Sequence, residues 1–173
     1  MLLEIVKFPA KVLQRPARKI NGADEVDLHR LFADMRESMF DAGGIGLAAP
    51  QIGQSIRFFI AHDTESGTTR AFVNPQITAA STETEVGSEG CLSFPGLYGD
   101  IERHLAIKVT YLDLDLQPQE ERFSGWFARI VQHENDHLNG ILLTDRSIGE
   151  LYTYEQEEAG TAEVETPGDG IRT

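Results

Sequence analysis

Gly125-Trp126-Phe127-Ala128-Arg129-Ile130-Val131-Gln132-His133-Glu134-Asn135-Asp136-His137-Leu138-Asn139 is the stretch from which the rest of this chain can be read. Trp126, Phe127, Ile130, Val131 and Leu138 recur at the spacing of one apolar helical face, and Gly140 is placed to end the helix. His133 and His137 stand four positions apart, ~400° around a 3.6-residue helix, so both imidazoles leave the same side. Glu134 is offset from His133 by ~100° and flanks the pair.

A helical His-Glu-x-x-His can hold one metal ion between the imidazoles while the glutamate handles a proton of bound water. Two exposed histidines on a polar helix face would give the same letters. A catalytic site usually adds a third protein ligand and keeps one position open. No histidine follows His137, and the glutamates beyond it crowd the acidic terminus. Upstream, Glu89-Gly90-Cys91-Leu92-Ser93 carries the only thiol of the chain. A lone cysteine is ordinarily a small buried apolar side chain. As a thiolate, Cys91 would complete a Cys/His/His set.

Away from this helix, Leu28, Leu31, Phe32, Met35 and Met39 face one side and Arg30, Asp34, Arg36 and Glu37 the other, predicting a helix over about 24–40. Met35 and Met39 need no role beyond the core. The run Gly43 to Gly53 is too rich in glycine for a helix and too small-sided for an ordinary strand. Arg57–Ala61 and Ala71–Val73 read as short strands, with Thr82–Val86 a weaker one. Ile107, Val109 and Tyr111 alternate with Lys108 and Thr110, and Asp115–Pro118 turns into a strand near Glu121–Phe123. Ile141-Leu142-Leu143 is either a strand end or a packing segment. Strand groups with two helices and no βαβ alternation give the α+β class.

The 173 residues suit one domain, and 40% apolar content is enough for its own core. No apolar run approaches the ~20 residues of a membrane span. Met1–Lys7 does not read as a signal peptide, so a cytoplasmic location is expected. A net charge of −13 argues against nucleic-acid binding. One cysteine excludes an intramolecular disulfide and fits a reducing compartment. Glu155, Glu157, Glu158, Glu163, Glu165 and Asp169 are opposed only by Arg172. Residues 1–154 are therefore expected to form the catalytic domain and 155–173 a poorly ordered acidic tail, with a charged terminal helix as the competing reading.

Three separated blocks resemble, in order, the signature motifs of the peptide deformylase family: Gly44-Ile45-Gly46-Leu47-Ala48-Ala49-Pro50-Gln51, Glu89-Gly90-Cys91-Leu92-Ser93, and Gln132-His133-Glu134-Asn135-Asp136-His137. The similarity runs from about Ile5 to Asp145. It implies small antiparallel sheets packed around a central HExxH helix, and removal of the formyl group from the N-terminal formylmethionine of nascent polypeptides. It further implies Cys91, His133 and His137 as metal ligands, metal-bound hydroxide as nucleophile, and Glu134 as general base and then acid. The Gln51 side chain and the Leu92 amide are implied as donors to the oxyanion. Substrate contacts are implied for Ile45, Gly46 and Gly90 through the main chain, and for Ile45, Trp126, Arg129 and Ile130 in a methionine pocket. Tyr98 is expected at the rim of that pocket and Glu89 beside the substrate path.

The family characteristically uses Fe2+ and accepts Zn2+, Ni2+ or Co2+. Spacing and resemblance together suggest that Asp136 accepts from a ligand histidine and that Glu89 pairs with Arg103 to brace the cysteine loop. The basic C-terminal helix by which some relatives dock on the ribosome has no counterpart here, where ribosomal RNA would repel the acidic end. An HExxH metallopeptidase is the rival enzyme, and a metal- or peptide-binding module the non-enzymatic alternative.

Overall fold

The computed structural model describes residues 1–22, 25–154 and 171–172. Five strands, β1 (Gly46–Ala48), β2 (Phe58–Asp63), β3 (Thr68–Ala80), β6 (Ala106–Leu112) and β7 (Pro118–Ser124), form one antiparallel sheet in the order β1-β2-β3-β6-β7. The smaller sheet is built on a hairpin of β4 (Thr84–Cys91) and β5 (Phe94–His104), with β8 (Ile171–Arg172) parallel to β4 on its other side. Among the described residues there are three α-helices, α1 (Leu28–Asp41), α2 (Gly125–Leu138) and the short α3 (Leu143–Arg146), and two 3-10 turns at Lys11–Gln14 and Ala49–Ile52. The α+β class is confirmed.

The larger sheet is covered on both faces, which explains why β2 reads as an unbroken apolar run. Phe59 and Ala61 join Phe72, Val109, Ala128, Ile130, Val131 and Leu138 in a core beneath α2. Phe58 and Ile60 point the other way, into a second core with Leu28, Leu31, Met35 and Met39 of α1. Both α1 methionines are fully buried. Asp27 caps α1, its carboxylate accepting from Arg30 N at 3.1 Å, so the helix begins later than its apolar spacing suggested.

Helix α2 packs mainly on the larger sheet and also touches β5, placing it between the two sheets. Its end is enforced at Gly140, where φ is +70° and an added Cβ would lie 2.9 Å from the backbone of Gln14 and Arg15. Ile141-Leu142-Leu143 is the packing segment and not a strand. Leu142 and Leu143 bury against Leu13, Phe94 and Ile101 in a third core that also holds Cys91.

Strand β5 and the second half of β4 were not foreseen. Phe94-Pro95-Gly96 brings a proline and a glycine, and Gly87-Ser88-Glu89-Gly90 carries no apolar alternation. The hidden pattern in β5 is that Ile101 and Arg103 point inward while Asp100, Glu102 and His104 point out. An inward arginine defeats a hydrophobic count, and only its buried partners explain it. The expected acidic tail falls mostly on 155–170, outside the described residues. Residues 171–172, expected to be part of it, pair instead with β4.

Candidate metal centre and active site

Cys91 closes β4 at a bulge in its pairing with β5, and this irregularity aims the thiol at α2. There Cys91 Sγ lies 3.4 Å from His137 Nε2, and the His133 and His137 rings are 5.0 Å apart between centroids. One ligand atom from each of Cys91, His133 and His137 falls within 4.8 Å of the other two, and all three residues are buried. His133 Nε2 is buried with no hydrogen-bond partner. A soft thiolate, two imidazoles and an orphaned ring nitrogen converging on one point fit a single divalent transition-metal ion.

The outer side of His133 explains how the ring is held. His133 Nδ1 lies 2.7 Å from Glu89 Oε1, so the proton sits on Nδ1 and the Nε2 lone pair faces the cluster. Glu89 also takes a bidentate pair from Arg103 at 2.9 and 3.0 Å, and a further bond from Arg129 at 2.7 Å. It is fully buried. Burial alone would raise its pKa, but the bonds from His133 and Arg103 outweigh that and hold the carboxyl well below the usual carboxylate range. Burial works to lower the Arg103 pKa, yet Glu89 and Asp136 hold it above the ordinary arginine value.

The expectation for Asp136 is therefore corrected. Its carboxylate meets Arg103 Nη1 at 2.6 Å and Arg146 Nη2 at 3.0 Å, and the histidine acceptor is Glu89. The reason is geometric. Asp136 directs its charge toward β5 and α3, whereas β4 carries Glu89 past the far side of His133. The anticipated Glu89–Arg103 pair is present.

Gln51 follows β1 in a short 3-10 turn and is fully buried. Ala48 N donates to its Oε1 at 2.9 Å, which fixes the amide orientation. Its Nε2 then faces Ser93 Oγ at 3.2 Å and Cys91 Sγ at 3.6 Å. Ser93 in turn donates to Val6 O at 2.7 Å, and Val6 N donates to Gln51 O at 2.7 Å. The N-terminal segment thus straps the first and second motifs together. Ser93 was inside a quoted motif but had been given no role.

Glu134 is fully buried beside β1. A Cβ added at Gly46 would lie 2.5 Å from Glu134 Oε1 and 3.0 Å from its carboxyl carbon. Only glycine lets the strand come this close to the carboxylate.

A cavity of about 300 Å³ opens next to Cys91, lined in part by Ile5, Gly90, Leu92, Phe94, Leu97 and Tyr98. Of the residues expected in the methionine pocket or at its rim, only Tyr98 borders this cavity. Ile130 lies in the core under α2 with half-buried Ile45 against it, and Trp126 is exposed at the start of the helix. The Arg129 guanidinium is spent on Glu89, Ile101 O and Glu85 O. Glu89, expected along the substrate path, lies behind the ligand set with both oxygens engaged. Tyr98 is almost fully buried, its ring tilted against that of Tyr154 at 4.1 Å between centroids.

Burial also governs the cluster residues themselves. It pushes the Cys91 thiol up to about 12 and His137 well below its ordinary value, with the neighbouring His133 adding to the latter.

Similarity to known proteins agrees with this geometry. A relative from Thermotoga neapolitana named peptide deformylase is 45% identical over 139 residues, covering 80% of this chain and 83% of that one. The crystal structure of peptide deformylase from Thermotoga maritima superposes with a TM-score of 0.81 at 41% identity, covering 86% of this chain and 99% of that one. A peptide deformylase structure from Acinetobacter baumannii with Met-Ala-Ser bound gives a TM-score of 0.78 at 37% identity, over 84% of this chain and 98% of that one. With residues 2–151 matching the family described as polypeptide deformylase, the chain belongs to that family.

Proposed function

We propose that Cys91, His133 and His137 hold one divalent cation with which this chain hydrolyses the formyl group from the N-terminal formylmethionine of nascent polypeptides, releasing formate. The observation that carries the reading is the convergence of the three ligand atoms within 4.8 Å. A cation bound there would act as a Lewis acid and lower the pKa of a coordinated water to ~7. Fe2+ is the ion expected from the family, with Zn2+, Ni2+ and Co2+ as substitutes that the same donor set accepts.

The chain's own groups do the rest. Glu134 takes a proton as general base and returns one to the departing amine. Gln51 Nε2, oriented by the bond from Ala48 N, donates to the formyl oxygen as charge develops there, and the Leu92 amide is the second donor. Glu89 holds His133 in the tautomer that leaves Nε2 free as a ligand. Main-chain groups of Ile45, Gly46 and Gly90 receive the peptide as an added strand, which tolerates many sequences. Ile45, Trp126, Ile130 and the Arg129 stem contact the methionine. The protein works in the cytoplasm, near the ribosome.

Formate release from formyl-Met-Ala-Ser by anaerobically purified protein, with elemental analysis of the same sample, tests both reaction and metal. Cys91→Ala should lose metal and activity together. Cleavage of an unformylated peptide between residues, without formate, would replace this reading with a metallopeptidase.

A further inference from the structure

The outer edge of β4 is occupied by the chain's own end. Ile171 pairs with Glu89 and Arg172 with Gly90 in a parallel ladder, immediately before Cys91. The terminal segment also grips the other strand of the hairpin. Tyr152 and Tyr98 exchange two main-chain hydrogen bonds of 2.8 Å each. The Tyr152 hydroxyl donates to Asp100 Oδ1 at 2.7 Å and lies 2.9 Å from Ser88 Oγ. Tyr154 packs its ring, tilted by 34°, against Tyr98. Residues 152–154 are thus fastened to β5, and 171–172 to β4.

We propose that the segment at 171–172 is an internal competitor for the peptide-binding edge of β4, which must leave before a substrate can pair with Gly90. This rests on the deformylase reading above. Two residues of ladder are weak alone, but covalent attachment through the anchored Tyr152 keeps the segment at high effective concentration. Its direction makes it inert. In a parallel ladder it leads toward Cys91 with its carboxyl-terminal side, whereas a formylated substrate must lead with its amino terminus. The site can hold this occupant without acting on it.

The test uses the full chain with Ile171→Pro and Arg172→Pro as separate variants. Proline removes a ladder N–H, and since alternate residues face a given neighbour, one of the two substitutions must strike β4. Two readouts are taken: hydrogen exchange over Ser88–Cys91, and steady-state kinetics on formyl-Met-Ala-Ser. Exchange should quicken in at least one variant. If the strand is docked about nine-tenths of the time, KM falls about tenfold with kcat unchanged. A synthetic peptide matching residues 166–173, added to that variant, should restore the higher KM competitively. Unchanged exchange in both variants, or quickened exchange with unmoved KM, overturns the competition while leaving the deformylase reading intact. A wild type that releases no formate overturns the deformylase reading and the competition with it.

Discussion

Glu89 joins three buried donors: the imidazole of His133 and the guanidinium groups of Arg103 and Arg129. Replacing it with glutamine keeps the shape but leaves the buried Arg129 guanidinium without its carboxylate and Arg103 with Asp136 alone. Glu89→Gln should lower stability by about 3–5 kcal/mol, read by denaturant unfolding. The same substitution should weaken metal binding by about 10–100-fold in a chelator competition. Glu134→Gln should separate the two functions, retaining metal while formate release drops by about 10²–10⁴-fold. At this scale much was legible in the sequence. The His133–Glu134–His137 spacing and the single thiol name the cluster because helical geometry turns spacing directly into direction. The histidine's acceptor was not legible. Asp136 is its near neighbour in sequence, whereas Glu89 arrives from a strand 44 positions away.

The strand β1 and helix α2 meet so closely at Gly46 and Glu134 that one methyl group has nowhere to go. Gly46→Ala should displace the carboxylate and lower kcat by about 100-fold with metal content unchanged, since a shift of about 1 Å can cost that much. Strands β3, β6 and β7 are tied together by Tyr111, whose hydroxyl donates to Glu121, with Arg70 bonded to both. Burial first, then the bond to Glu121, raises the Tyr111 pKa from its ordinary 10 to about 12. A raised folded value means the contribution is full below pH 10 and is lost as pH climbs toward 12. The stability advantage of wild type over Tyr111→Phe should therefore shrink across that window in pH-dependent thermal melts. Amphipathic α1, the β2 run and the alternating β6 were readable because each buries a regular apolar face. Strand β5 was not, since Arg103 occupies an inward position that an apolar residue would normally fill.

Across the whole molecule, metal binding is a folding term, because the three ligands come together only in the native chain. At a metal concentration of 1,000 times Kd the gain is about 4.1 kcal/mol, so chelation should lower the melting temperature by about 8–16 °C in calorimetry. The fold class could be read from length and pattern. The pairing of 171–172 could not, because two residues beyond an acidic run carry no periodicity at all. The division of the ligands between sheets has a mechanical consequence. Cys91 belongs to the hairpin, while both histidines ride on a helix seated mainly on the larger sheet. Any sliding of one layer over the other would draw the sulfur away from the nitrogens, so an ion held there would report on the seam between the two sheets.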